Sequence, residues 1–260
     1  MSMQPETLAA DTEFAGLPAG NSVDPAEIAR FSAMAADWWN PRGKFAPLHR
    51  FNPVRLGYIR DALQGHFGLP AEAGLAPLRI LDIGCGGGLV AEPLARLGAR
   101  VTGADAGERN IAVASLHAGQ SGLDIDYRCT SAESLAASGE TFDAVLALEI
   151  VEHVADPAGF FAACSRLLRP GGLLIASTLN RSPKAYALAI VGAEYILRWL
   201  PPGTHDWKKF LKPHELAKLL RDAGLIVNDV RGANYNPISE RWSLGRDTGV
   251  NYFMTAAQPD

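Results

Sequence analysis

The sequence predicts a doubly wound α/β fold, a mostly parallel sheet of seven strands with helices on both faces. Three observations carry this. From residue 79 onward, short apolar runs of strand length alternate with segments of helical periodicity. The first run, Arg79–Ile83, opens directly into Gly84-Cys85-Gly86-Gly87-Gly88. The second, Val101-Thr102-Gly103-Ala104-Asp105, ends on an acid about 20 residues further on, the offset at which a carboxylate meets ribose hydroxyls. Together these place a nucleoside cofactor at the carboxyl ends of the strands.

The glycines let the backbone turn tightly and approach a ligand where a Cβ would collide. The free N–H groups of the next helix start then face the crevice. A nicotinamide fingerprint would need G-x-G-x-x-G, and position 89 is Leu. What stands is D-x-G-x-G-x-G over Asp82–Gly88, which resembles the first motif of the class I, Rossmann-like S-adenosylmethionine (SAM) methyltransferases. SAM has no pyrophosphate, so its zwitterionic methionine end needs backbone groups and charged partners.

Taken in order, residues 1–21 lack periodicity and read as a disordered tail, followed by a single domain over 22–260. The tail has neither a basic segment followed by an apolar core nor any Arg, so a cytoplasmic protein is expected. Residues 22–75 read as a helical lid. Asp24-Pro25-Ala26-Glu27 is helix-start chemistry, and Ile28, Phe31, Met34, Ala35 and Trp38 follow on one face to about Asn40. A second helix is expected from Asn52-Pro53 to about Phe67. Arg55, near its start, either clamps the methionine carboxylate as a bidentate pair or belongs to a purely structural cover.

Helix Leu89–Leu97 closes on Gly98. Strand Arg100–Ala104, helix Arg109–Ala118 and strand Ile125–Cys129 follow, with Ser131 on the rim where an adenine would sit. Strand Phe142–Leu148, helix Pro157–Leu168 and strand Leu173–Ser177 come next. Beyond an insertion, helix Pro213–Ala223 and strands Leu225–Val230 and Val250–Thr255 complete the sheet. The net charge of −4 and pI near 5.9 give no whole-chain footprint for nucleic acid. Cys85, Cys129 and Cys164 form no C-x-x-C, which suggests a reducing compartment and no zinc site.

The fourth strand ends on Glu149-Ile150-Val151-Glu152-His153. If a helical turn begins at Glu149, positions 149, 152 and 153 share one face. Two carboxylates and an imidazole there suit Mg²⁺ or Mn²⁺. The alternative is a lone acid–base or packing histidine beside a solvated glutamate.

The resemblance then sharpens. Trp38-Trp39, Phe45-x-Pro47-Leu48-His49-Arg50-x-Asn52-Pro53-x-Arg55, the glycine turn, Glu149-x-x-Glu152-His153-Val154, Ser177-Thr178-Leu179-Asn180-Arg181, Gly203-Thr204-His205-Asp206, Tyr235-Asn236-Pro237 and Val250-Asn251-Tyr252 resemble the ubiquinone biosynthesis O-methyltransferases. That resemblance implies both O-methylations of the pathway, on a 2-polyprenyl-6-hydroxyphenol and on 3-demethylubiquinol, with another small phenolic or lipid acceptor as the alternative. It implies SAM contacts from Arg55, Gly84, Gly86, Asp105, Ser131 and the backbone at Leu148. It also implies a divalent cation on Glu149, Glu152 and His153, and partnership with other enzymes of ubiquinone biosynthesis. The chemistry makes a cation reasonable: a phenol of pKa about 10 lies about 3 units from ionisation at neutral pH, worth about 4 kcal/mol. A Lewis acid on both catechol oxygens would supply it. No catalytic base stands out.

A nicotinamide dehydrogenase is disfavoured by the glycine spacing, and a silent SAM-binding scaffold by the intact E-x-x-E-H cluster. A nucleic-acid methyltransferase would want a basic groove. The insertion, 181–212, carries an almost uncharged run from Ala185 to Ala193, then Tyr195-Ile196-Leu197 and Trp199-Leu200. Arg181, Lys184, Arg198, Lys208, Lys209 and Lys212 oppose only Glu194 and Asp206 within it. This predicts docking on the anionic inner face of a membrane, or a lid helix over an apolar pocket.

Overall fold

The computed structural model describes residues 22–76, 78–187, 206–236 and 239–260. The strands are β1 (Arg79–Ile83), β2 (Arg100–Asp105), β3 (Asp126–Cys129), β4 (Phe142–Leu148), β5 (Leu168–Leu179), β6 (Ile226–Asn236), β7 (Arg241–Gly245) and β8 (Asn251–Ala257). They form one sheet in the order β3-β2-β1-β4-β5-β8-β6-β7. β1 to β5 are parallel, and β8, β6 and β7 extend the β5 edge antiparallel. The order reverses between β1 and β4, the switch point at which such sheets open a crevice.

α1 (Pro25–Ser32) starts on Asp24, whose side chain accepts from Ala26 N at 3.0 Å. α2 (Ala46–Phe67) and α3 (Ala91–Arg96) pack on one face of the sheet, where Phe51, Tyr58, Ile59, Leu63 and Leu94 meet Ile80, Leu146 and Phe253. α4 (Glu108–Gln120) packs beside β2 and β3. The opposite face is covered by α5 (Ala132–Ala137) and α6 (Pro157–Arg166). After the short α7 (Pro183–Ala185), α8 (Pro213–Asp222) completes that layer through Leu216 and Leu220.

Three boundaries differ clearly from those expected. The first helix stops at Ser32, and Ala35–Asp37 is a separate 3₁₀ turn. Trp38 and Trp39 instead lie against the glycine turn, their indole N–H groups donating to Asn110 Oδ1 of α4 (2.9 Å) and to the Gly87 carbonyl (2.8 Å) respectively. The second helix begins at Ala46, not Asn52, and carries Pro53 in its interior. Pro53 costs one helical hydrogen bond, but burial of Phe51, Arg55, Tyr58, Ile59 and Leu63 holds the helix through it. Asn52 caps nothing; its amide donates to the Leu89 carbonyl at 2.8 Å. β5 begins at Leu168 rather than Leu173, beside a register shift between Phe142 and Ala144.

The largest difference is an eighth strand. β6 runs on to Asn236 and folds back as β7, pairing Tyr235 with Trp242 and Ala233 with Leu244. The polar Ser239-Glu240-Arg241 run hides its alternation in the sequence.

Candidate functional site

A cavity of about 490 Å³ lies at the carboxyl ends of the central strands, beneath α1 and the start of α2. Arg55, Gly84, Gly86, Asp105, Ser131, Leu148, Glu149, Glu152 and His153 all line it. Residues as far apart in the chain as Arg55 and His153 are therefore gathered by the sheet into one chamber. Glycine is required at the turn. Gly84 and Gly86 have φ of 76° and 52°. A Cβ on Gly84 would lie 2.1 Å from Ile150 Cδ1, and one on Gly86 would lie 2.3 Å from the Trp38 ring.

Asp105 ends β2 facing this turn. Its Oδ2 accepts from Gly86 N at 3.0 Å, and its Oδ1 accepts from Gly107 N (2.8 Å) and Asn110 Nδ2 (3.0 Å). Burial raises its pKa, opposed by those three donors. Since Asn110 in turn receives the Trp38 N–H, a chain of hydrogen bonds joins the lid to this carboxylate.

Asp82, the acid that opens the glycine motif, was given no role from sequence. It is 3% exposed, lines the cavity, and its Oδ2 has no hydrogen-bond partner. Burial pushes its pKa up to about 7, against the pull of Arg55 and with repulsion from Asp105 and Glu149. A buried, unsatisfied carboxylate facing a chamber is an unmet demand for a cation or donor. The signal was present in the sequence, as an acid inside an otherwise apolar strand.

Arg55 is 4% exposed and already partnered. Its Nη1 donates to Glu149 Oε2 at 2.6 Å, and Nε and Nη2 donate to Asn52 Oδ1 at 3.1 and 2.8 Å. This holds the guanidinium at the cavity wall. Leu148 pairs with Ser177 across β4 and β5 and is buried there. Ser131 N-caps α5, its Oγ accepting from Ser134 N at 3.2 Å, so its hydroxyl carries a structural task as well as a place on the rim.

The expected single face of Glu149, Glu152 and His153 does not form. Glu149 has φ of 48°, a left-handed conformation outside the 3₁₀ turn of Val151–His153, so the i, i+3, i+4 geometry does not apply. The three side chains take separate partners. Glu149 is held by Arg55 and accepts from Ser177 Oγ at 2.5 Å. Glu152 accepts from Thr178 Oγ1 at 2.8 Å, its pKa raised by burial. His153 Nδ1 lies 3.3 Å from Glu27 Oε2. Interaction with His153 first, and with Arg30 and Lys209 besides, draws the Glu27 pKa down to about 2 despite its desolvation. Among the described residues, no three His, Cys, Asp or Glu side chains converge as a cation site.

The other end of the cavity is apolar. Phe51, Leu179, Ala233, Tyr235, Trp242 and Val250 line it, with Phe51 and Trp242 ring centroids 4.6 Å apart. The β7 hairpin that supplies Trp242 is the element the sequence reading missed.

A methyltransferase-domain family model matches residues 81–176. A ubiquinone biosynthesis O-methyltransferase of Parvibaculum lavamentivorans is 60% identical over 92% of this chain and 95% of its own length. That of Cereibacter sphaeroides is 59% identical over 94% and 100%. Among solved structures, a SAM-dependent methyltransferase of Thermotoga maritima, described as a possible histamine N-methyltransferase, superposes with a TM-score of 0.61 at 20% identity, over 90% of this chain and 99% of its own. SAM-bound magnesium protoporphyrin IX methyltransferase from Synechocystis superposes with a TM-score of 0.54 at 16% identity, over 88% and 97%. These structural likenesses bear on the fold alone.

Proposed function

The chain belongs to the ubiquinone biosynthesis O-methyltransferases, SAM-dependent enzymes, and from that membership we propose how its residues divide the reaction. The acceptors are the polyprenylated 2-polyprenyl-6-hydroxyphenol and 3-demethylubiquinol. The observation that carries the reading is one cavity with two ends: carboxylates at Asp105 and Asp82, then an apolar aromatic wall. The unsatisfied Asp82 and the side-chain-free cradle at Gly84 and Gly86 fit SAM.

Asp105 accepts the ribose hydroxyls, exchanging part of its hold on Asn110 and Gly86, and Ser131 borders the adenine. Asp82 meets the methionine ammonium and Arg55 its carboxylate, with the Leu148 backbone beside them. SAM supplies an electrophilic methyl group when bound. Transfer of that methyl group to the phenol oxygen would break its bond to sulfur and leave S-adenosylhomocysteine. The phenol proton passes to His153, whose Nδ1 faces Glu27 and leaves the second ring nitrogen for the acceptor.

A divalent cation does not fit the site as arranged. Glu149 would have to release Arg55, and His153 would have to turn from Glu27. Labelled methyl transfer from SAM to a prenylated catechol, with and without chelator, tests both parts. Turnover that survives chelator and is lost in His153→Asn supports the base. Turnover abolished by chelator and restored by Mg²⁺ returns His153 to a ligand role. No transfer to any catechol contradicts the reading as a whole.

Asp105→Ala is expected to weaken SAM binding by about 1.5–3 kcal/mol, the range for a hydrogen bond to a charged group. Asp105→Asn, which keeps one acceptor oxygen, should cost less. Calorimetry checks both; unchanged affinity would remove the ribose role.

We also place the insertion at a membrane surface. Residues 188–205, which hold most of its apolar run, lie outside the described residues. Three of its cations have acidic partners the linear count omitted: Arg181 pairs with Glu215, Lys184 with Asp247, and Lys209 with Asp24 and Glu27. Docking would therefore rest more on apolar insertion than on charge. No described helix is long and apolar enough to cross a bilayer. Wild type should sediment with anionic liposomes with only modest salt dependence, and Ile190, Val191 and Ile196 changed together to Ser should release it. Wild type left in the supernatant at low salt would make the segment a lid only.

A further inference from the structure

We infer that Asn251 binds the hydroxyl adjacent to the one being methylated, and so selects ortho-dihydroxy rings over rings with a single hydroxyl. The inference rests on the methyltransferase reading above. Asn251 opens β8, is 7% exposed and lines the cavity. Its Oδ1 is buried and accepts no hydrogen bond. An amide oxygen left so is costly in a folded protein, unless something that enters the cavity donates to it.

Its position in the sheet says what enters. Asn251 is in register with Leu179 of β5 and Ala233 of β6. Leu179 is two residues beyond Ser177, which is in register with Leu148 of β4. Alternate residues of a strand share a face, so Asn251 stands on the same side of the sheet as Leu148, across β5. The cofactor end of the cavity lies at β1, β2 and the end of β4, and Asn251 lies beyond it on the acceptor side.

The cavity wall here is aromatic, with Phe51 and Trp242 at 4.6 Å and Tyr235 and Trp242 at 5.4 Å between ring centroids, the rings tilted to one another. Two polar residues that line the cavity already have partners: Lys184 pairs with Asp247, and Asn234 Nδ2 donates to the Asp247 carbonyl at 3.2 Å. An aromatic-walled end of the cavity with an unmet acceptor at Asn251 Oδ1 suits a ring carrying a hydroxyl donor. A second hydroxyl ortho to the attacking oxygen meets that need and fixes which oxygen faces the sulfonium. A ring without it leaves Asn251 unpaired, which is how a site rejects an analogue lacking one hydroxyl.

The test uses the full chain saturated with S-adenosylhomocysteine. Calorimetry would compare a short-chain prenylated catechol with the same ring bearing hydrogen or fluorine in place of the second hydroxyl. Wild type is expected to bind the catechol at least about tenfold more tightly than either analogue. Asn251→Leu should bring the three ligands within about twofold, with S-adenosylhomocysteine affinity unchanged as the check on folding. The fluorinated ligand on wild type removes the donor without touching the protein, so the inference stays testable if the variant does not fold. Equal binding of all three ligands by wild type, or a catechol preference kept by Asn251→Leu, would overturn the role of Asn251. A wild-type enzyme that transfers no methyl to any catechol would instead overturn the reading on which it rests.

Discussion

Arg55→Ala is expected to destabilise the protein by about 3–5 kcal/mol, the range for removing one partner of a buried ion pair, and to abolish methyl transfer. Arg55 and Glu149 side chains are 5% and 17% exposed, and their contact is 2.6 Å. Without the guanidinium, Glu149 keeps Ser177 as a donor but no counter-charge. It is also held at φ of 48°, a conformation that non-glycine residues adopt at a cost. Adding Glu149→Gln to Arg55→Ala should recover more than half of the lost stability and none of the activity. Denaturant unfolding of the two single variants and the double variant checks this as a double-mutant cycle. Additive losses would show that the pair is not coupled. Arg55→Lys should fall between, since it keeps the charge but not the fork that also reaches Asn52.

Asp82→Asn should raise the stability of the ligand-free protein at pH 8 while weakening SAM binding at least about tenfold. The sign follows from the raised pKa. With the folded value near 7 against an ordinary 3.8, the folded state holds the extra proton across that window. Stability therefore falls as pH rises from about 4 to about 7. At about 1.36 kcal/mol per unit, the cost is on the order of 4 kcal/mol once Asp82 is ionised. Asn removes it, so the variant should exceed wild type at pH 8 and match it near pH 4. SAM affinity of wild type should rise between pH 6 and 8 as the carboxylate that meets the ammonium ionises, and that rise should flatten in the variant. A stability difference equal at both pH values would show that Asp82 does not titrate in this range.

Much of this was legible because the parallel half of the sheet has the plainest periodicity. The five strands from Arg79 to Ser177, the helices after the first, second and fourth of them, and the Asp105 offset are local patterns that burial merely enforces. What was not legible depended on tertiary partners. α2 runs through Pro53 because its buried face outweighs one lost hydrogen bond. The β7 strand exists because β6 offers it an edge, which Ser239-Glu240-Arg241 does not advertise. The E-x-x-E-H spacing implied a shared face, and a positive φ at Glu149 and partners brought in by Arg55, Thr178 and Glu27 separate the three side chains. Asp82 is marked by its place at the head of the glycine motif, whereas Asn251 carries no such signal, and only packing shows its unmet oxygen.

The most direct measurement is a crystal structure of the chain with S-adenosylhomocysteine and a prenylated catechol. The expected result has both ribose hydroxyls within hydrogen-bonding distance of Asp105, the ammonium on Asp82, and the catechol ring between the sulfur and Trp242. A nucleoside bound elsewhere, with Asp105 still closed on Gly86 and Asn110 and Asp82 still unpartnered, would contradict it.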